Sequence, residues 1–240
     1  MPNSGGVILK SEGSELATTY KLQMGLNEQI YFSFPCKKPP EYFMPIEIET
    51  TRLLLRQWHP SDYPAFAKMN ADPEVMHHFP QCLNTRQSNA LADKFYQLIE
   101  EQSWGFWALG LKCSRQFIGF TGLHYRPQQF SFSPCTEVGW RLAQAYWGKG
   151  YATEAALACL VFAFQHLNLA EVVSFTAVNN IKSQAVMQRL NMNIVGYFDH
   201  PALDRHHALA PHILYSLKQA DFPGNHDVHG LSQSIHIAQV

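Results

Sequence analysis

Apolar and polar positions fall into regular patterns only from Ile46 onward. The run TRLLLRQW, Thr51 to Trp58, is a short apolar stretch with polar ends and predicts a first strand; His59-Pro60-Ser61-Asp62 then opens a helix carrying Phe66 and Met69, and Pro73 begins a further helical turn. TRQSNALADKFYQLIEE, Thr85 to Glu101, places Ala90, Leu91, Phe95, Leu98 and Ile99 at helical spacing, with Thr85 as the expected N-cap. Three strands follow, Trp104 to Lys112, Gln116 to Tyr125 and Thr136 to Leu142; Cys113-Ser114-Arg115 joins the first two closely enough for an antiparallel hairpin.

Tyr151 to His166 is apolar almost all round and rich in Ala, the pattern of a helix buried against a sheet. Glu171 to Val178 returns as a strand, giving a strand, helix, strand crossover. Ile181 to Leu190 reads as another helix, and Asn193 to Phe198 and His212 to Leu217 as closing strands. Residues 1–44, with the proline-marked break PCKKPP, read as an extension outside the core, 45–222 as the one folded domain, and 223–240 as a polar, His-bearing, loose tail.

Charge adds little to this picture and mainly excludes. With 18 Lys and Arg against 19 Asp and Glu, the chain has no basic block to neutralise a run of phosphates, so nucleic acid is not an expected partner. Five scattered cysteines without a C-x-x-C pair argue against a disulfide framework and a zinc ribbon, and suit the cytoplasm. The longest apolar run, Ala155 to Phe164, is half of the ~20 residues that cross a bilayer, so no membrane association is expected. Twelve histidines include His77-His78, His200, His206-His207 and His212, but none stands in an H-E-x-x-H spacing, and no metal is expected.

Chemistry concentrates in Trp147-Gly148-Lys149-Gly150-Tyr151-Ala152, where two glycines stand between a strand and the start of the apolar helix. The first N–H groups of a helix have no helical partners, and with the helix dipole they favour a phosphate; glycine lets the backbone approach one. A Walker loop needs Ser or Thr after Gly-Lys, where Gly150 stands, and a dinucleotide fingerprint needs a third glycine, where Thr153 stands. A turn that merely packs the helix is the plain alternative.

The segment resembles the acyl-CoA-binding motif of the GNAT superfamily of N-acetyltransferases, Gln/Arg-x-x-Gly-x-Gly/Ala, with Trp147 in the place of Gln or Arg. WGKGYATEA, ETTRLLLRQW, EVGWRL, NNIKSQAVMQRLNM and HPALDRHHALAPHILYSL extend the similarity over about residues 46 to 220, towards the RimJ/RimL-like branch of ribosomal-protein N-terminal acetyltransferases. The resemblance implies an α/β (α+β) fold: a mixed, mostly antiparallel central sheet flanked by helices, with a splay between its fourth and fifth strands.

It also implies a reaction. Acetyl-CoA would be the co-substrate and a primary amine of a small molecule or protein N-terminus the acceptor, attacking the thioester directly, in a monomer or homodimer. Trp147, Gly148, Lys149, Gly150, Tyr151 and Ala152 would hold the pyrophosphate end, Trp140 and Leu142 would offer backbone bonds to pantetheine, and Asn180 and Ser183 would contact the CoA arm. An ammonium with a pKa of ~10.4 needs a base; Glu137, at the start of the strand lining the splay, is the candidate, against the reading of a solvated strand-end carboxylate. Where many relatives carry a Tyr to protonate the thiolate, this chain has Met187, which leaves Ser183, or Tyr197 or Tyr215 from another strand, to reach the leaving sulfur; both tyrosines read first as half-buried strand residues, and unaided departure of the thiolate is the further alternative. Phe130 and Phe132 read as anchors of their loop or, alternatively, as an exposed acceptor rim; histidines on the surface or in loops are the default, with His200, His206 and His212 lining the acceptor pocket as the alternative. The alternative function is a non-catalytic acyl-CoA-binding module.

Overall fold

The structure, a computed structural model, describes residues 17–24, 28–35, 45–223 and 235–239. Two units are compact by themselves, Met1–Phe43 and Met44–Val240. The described part of the first is an antiparallel pair, β1 (Ala17–Met24) and β2 (Glu28–Pro35).

The second unit is built on a nine-stranded sheet. Its strands are β3 (Ile46–Glu49), β4 (Leu53–Arg56), β5 (Phe106–Leu111), β6 (Phe117–Arg126), β7 (Cys135–Leu142), β8 (Glu171–Ala177), β9 (Asn193–Asp199), β10 (Pro211–Lys218) and β11 (His236–Gln239). They lie in the order β11-β3-β4-β5-β6-β7-β8-β10-β9, and β7–β8 is the one parallel neighbour pair. The tail expected to be loose thus contributes an edge strand, with Ile237 opposite Ile48. Its four residues are too short to stand out in a polar sequence. The same holds for β3, which pairs as a separate strand ahead of β4.

Alternation along the strands separates two helical layers. Phe106 and Phe120 meet Phe95 of α3 (Thr85–Gln102), and Phe120 also meets Phe66 of α1 (Tyr63–Asn70), at ring distances of 5.0, 5.1 and 5.9 Å. The neighbouring positions face the other way: Trp107 meets Phe162 at 5.6 Å, and the Thr121 hydroxyl lies 3.8 Å from Cys159 Sγ, both in α4 (Tyr151–Gln165). The one-turn α2 is Pro73–Met76, and α5 is Ile181–Arg189, which packs beside α4. Every residue of α4 from Thr153 to Phe164 is buried, as its apolar composition predicts.

One cap differs from expectation. Asn84, not Thr85, caps α3: its side chain accepts from Gln87 N–H at 2.9 Å while Gln87 Oε1 accepts from Asn84 N–H at 3.0 Å. A reciprocal capping box satisfies two free donors, and Asn84 supplies it one residue earlier than Thr85 could.

Candidate active site

β7 and β8 share a single register position, Glu137 beside Val173. One residue further on, Ser174 Oγ donates to the Val138 carbonyl at 2.9 Å, and beyond that contact the strands part. Ala143 N–H bonds the Ile118 carbonyl of the β6 side. Because ladder bonds alternate, the backbone groups of Val138, Trp140 and Leu142 therefore turn towards the gap. Trp147 Nε1 donates to the Leu142 carbonyl at 2.8 Å, so of the two expected pantetheine partners Trp140 keeps both backbone groups and Leu142 only its N–H. Through that bond the Trp147 indole closes the turn onto β7, and Lys182 Nζ lies 4.3 Å from the ring centre.

The gap opens towards the N-terminus of α4. Gly148 and Gly150 have φ values of +72° and +79°, a region that L side chains avoid. Gly150 is the N-cap and has no side-chain hydrogen bond, so the N–H groups of Tyr151 and Ala152 are left without side-chain partners. A Cβ on Gly148 would meet nothing within 4 Å, so the loop stands open where a phosphate would enter. Behind this loop lies an anchor. Glu154, only 1% exposed, accepts from Thr50 Oγ1 at 2.6 Å, from Arg52 N–H at 2.9 Å and from Arg52 Nε and Nη2 at 2.6 Å each. Arg52 Nη1 in turn donates to the Lys149 carbonyl at 3.0 Å, and its guanidinium lies 4.6 Å from the Tyr151 ring centre.

On the face of β7 turned away from α4, Glu137 is buried and held at both oxygens by Arg126, with Nη2–Oε1 2.9 Å and Nε–Oε2 3.1 Å. Burial pushes its carboxyl above the usual range, and the bonds from Arg126 oppose that shift. His124 stands opposite Glu137 in the ladder; burial, reinforced by the Arg126 charge, brings its imidazole down to about 4. Phe130 and Phe132 do not form an exposed rim. Phe130 is 8% exposed and stacks on Phe132 at 4.9 Å, and the pair packs into Phe175 and Phe198. His200 and His212 join this cluster, 5.0 Å apart, whereas His206 lies on an exposed loop.

The sequence profile of the family described as "Acetyltransferase (GNAT) domain" matches residues 52–193, from Arg52 of the anchor to the start of β9. The chain belongs to the GNAT acetyltransferase family. As a family member it is an acetyl-CoA-dependent N-acetyltransferase. It is 28% identical over 153 residues to "Uncharacterized N-acetyltransferase YnaD" of Bacillus subtilis, covering 64% of this chain and 86% of that one. Among solved structures it is similar to an acetyltransferase from Agrobacterium tumefaciens (27% identity, TM-score 0.59, 80% and 98% of the two chains). It shares its fold with Mycobacterium smegmatis RimJ in complex with CoA-disulfide (17% identity, TM-score 0.59, 74% and 89%).

Across the gap of this acetyltransferase, Asn180 caps α5 by accepting from Ser183 N–H at 3.2 Å, and its Nδ2 donates to Thr176 Oγ1 and to Ser183 Oγ at 2.9 and 3.1 Å. Ser183 Oγ is an acceptor in that bond, so its own proton is available. Both tyrosines sit on strands, as the structural reading of them has it. Tyr215 is buried with its hydroxyl on Gln184 Oε1 at 3.4 Å, and Tyr197 is 71% exposed on β9, two strands from the gap. Met187 is a core residue, 1% exposed. Among the described residues no three His, Cys, Asp or Glu side chains gather into a metal site, and no helix is long and apolar enough to cross a membrane. The Thr50–Arg52–Glu154 anchor escaped sequence reasoning; its one signal is a carboxylate in the first turn of an otherwise apolar helix.

Proposed function

We propose that this acetyltransferase passes the acetyl group of acetyl-CoA to a primary amine, of a small molecule or of a protein N-terminus, by direct attack in the β7–β8 gap. The observation that carries this reading is the uncapped α4 N-terminus, with two left-handed glycines, at the mouth of a gap lined by the open backbone of Trp140. Gly148, Lys149, Gly150, Tyr151 and Ala152 hold the pyrophosphate with backbone N–H groups and the helix dipole. Trp140, and Leu142 through its N–H, extend the sheet onto the pantetheine arm. Trp147 acts by shaping the turn, and Asn180 holds Ser183 against the same arm.

With CoA entering beside α4, the amine approaches from the opposite face, where Glu137 lies. Three buried carboxylates occur among the described residues, Asp62, Glu137 and Glu154, and Glu137 is the one at the gap. Its oxygens have lone pairs beyond those used by Arg126, and one can take the ammonium proton through a water. The nitrogen then adds to the thioester carbon; as the tetrahedral adduct collapses the C–S bond breaks, the nitrogen gives up its second proton, and the thiolate takes up a proton through the Ser183 hydroxyl, which that released proton restores. The enzyme works in the cytoplasm, without a metal, as a monomer or homodimer.

The direct test is release of CoA thiol from acetyl-CoA across small amines, antibiotics and N-terminal peptides. Release with at least one primary amine is expected. Tight acetyl-CoA binding with no release across the panel would overturn the reading.

A further inference from the structure

Arg141 lies on β7 one residue beyond Trp140, on the amine-facing side of the gap, and its guanidinium has no carboxylate. Nη1 donates to Asn70 Oδ1 at 2.7 Å, and Asn70 Nδ2 is fixed in turn by Ser88 Oγ at 2.8 Å. The Phe79 ring centre lies 3.9 Å from the guanidinium carbon and the Phe120 ring centre 5.3 Å. The four ion pairs among the described residues involve Arg52, Arg56, Lys112 and Arg126, not Arg141. Nε is shut off from solvent with no hydrogen-bond partner, and burial alone brings the group down to about 10.

Such a charge is costly to bury unless something pairs with it. The other three arginines set into this fold each face a carboxylate, Glu154, Asp62 or Glu137. Arg141 differs in that its Nε–Nη2 edge is unused, the edge that grips a planar carboxylate at two points. Asn70 fixes the guanidinium through Nη1 and leaves this edge without a partner. Along a strand, Arg141 lies about 7 Å from Gly139, next to the middle of the gap.

We infer that Arg141 receives a carboxylate of the acceptor, so that the amine acetylated is an amino acid or a similar amino-carboxylate rather than a bare amine. The inference rests on the β7–β8 gap as the place of acyl transfer. Phe79, 37% exposed, lies over the guanidinium and is the side chain an acceptor carboxylate has to displace. The competing source of an anion is CoA itself, whose phosphates belong to the α4 side.

Binding tests this without turnover. The full chain saturated with CoA is heated with each N-acetyl-L-amino acid, the product series, or with the corresponding carboxamide. At least one acid is expected to raise Tm by a few degrees where its amide does not, and Arg141→Gln is expected to abolish the difference while the Kd for acetyl-CoA changes less than about twofold. No acid exceeding its amide, an equal rise with inorganic phosphate, or a tenfold loss of acetyl-CoA affinity in Arg141→Gln would each overturn the assignment. If Arg141→Gln does not fold, the comparison of acid with amide in the native chain decides. Thiol release with the free amino acids is read separately: carboxylate binding without release would leave Arg141 in place and sink the acetyl-transfer reading.

Discussion

Arg126 grips both oxygens of Glu137, and that limits how the carboxylate can serve as a base. A general base acts in its ionised form, so activity is present above its pKa and lost as pH falls through it. With the Glu137 carboxyl raised by burial, kcat/KM is expected to fall on the acid side at a pH above the ordinary carboxylate range. Glu137→Gln should remove that limb and lower kcat about 100-fold; an unchanged profile and rate would remove Glu137 from the mechanism. Arg126→Ala deletes the one contact that opposes the burial shift, so the limb should move to higher pH. Glu137 is a candidate from the sequence because it is a carboxylate near the start of a strand beside the acyl-CoA motif. Arg126 is not, since nothing in the intervening loop, Pro127 to Pro134, announces that the chain folds back to pair the two. Phe130 and Phe132 left two readings open for a related reason: whether loop aromatics anchor the loop or form an exposed rim is decided by partners, Phe175 and Phe198, that come from other strands.

At the scale of elements, the start of α4 depends on two unlike devices. Gly148 and Gly150 keep the loop in a left-handed conformation, and Glu154 ties the first turn to the β3–β4 connection through Thr50 and Arg52. Gly148→Ala has room for its Cβ, so the folded protein should lose about 1–2 kcal/mol from the positive φ. Its methyl would stand where the pyrophosphate approaches, and KM for acetyl-CoA should rise about tenfold or more while kcat changes less; equal KM values would place CoA elsewhere. Glu154→Gln leaves the Arg52 guanidinium without its counter-charge and should destabilise the chain by about 2 kcal/mol in urea unfolding, discounted because Arg52 is 43% exposed. The glycines were readable because their chemistry lies in the loop itself. The anchor joins residues about a hundred positions apart and the pairing of β3 with β11 spans nearly twice that, and local patterning has no access to either.

Over the whole molecule, the pattern from Ile46 to Leu217 yields most of the architecture. Strand periodicity and the buried α4 predict a sheet with helices, and the crossover through α4 requires β7 and β8 to run parallel. What the pattern leaves out is their divergence after Val138, which depends on Ser174 taking the Val138 carbonyl in place of a ladder bond. Burial also lowers His78, His124, His200 and His212 below the ordinary imidazole value. As pH falls below ~6.5 the unfolded chain takes up these protons first, so stability held at neutral pH should be lost progressively towards pH 4. Urea midpoints at pH 7.5 and 5.0 should therefore differ, and less so in His200→Phe; an unchanged difference would assign the acid loss to other groups. The central claim is that the α4 N-terminus and the β7–β8 gap together hold acetyl-CoA. A crystal structure of the acetyl-CoA complex tests it most directly. Pyrophosphate oxygens are expected within hydrogen-bonding distance of the Tyr151 and Ala152 N–H groups, with pantetheine bonded to the Trp140 backbone; a CoA seated away from that helix end, or a closed gap beside it, would contradict this placement.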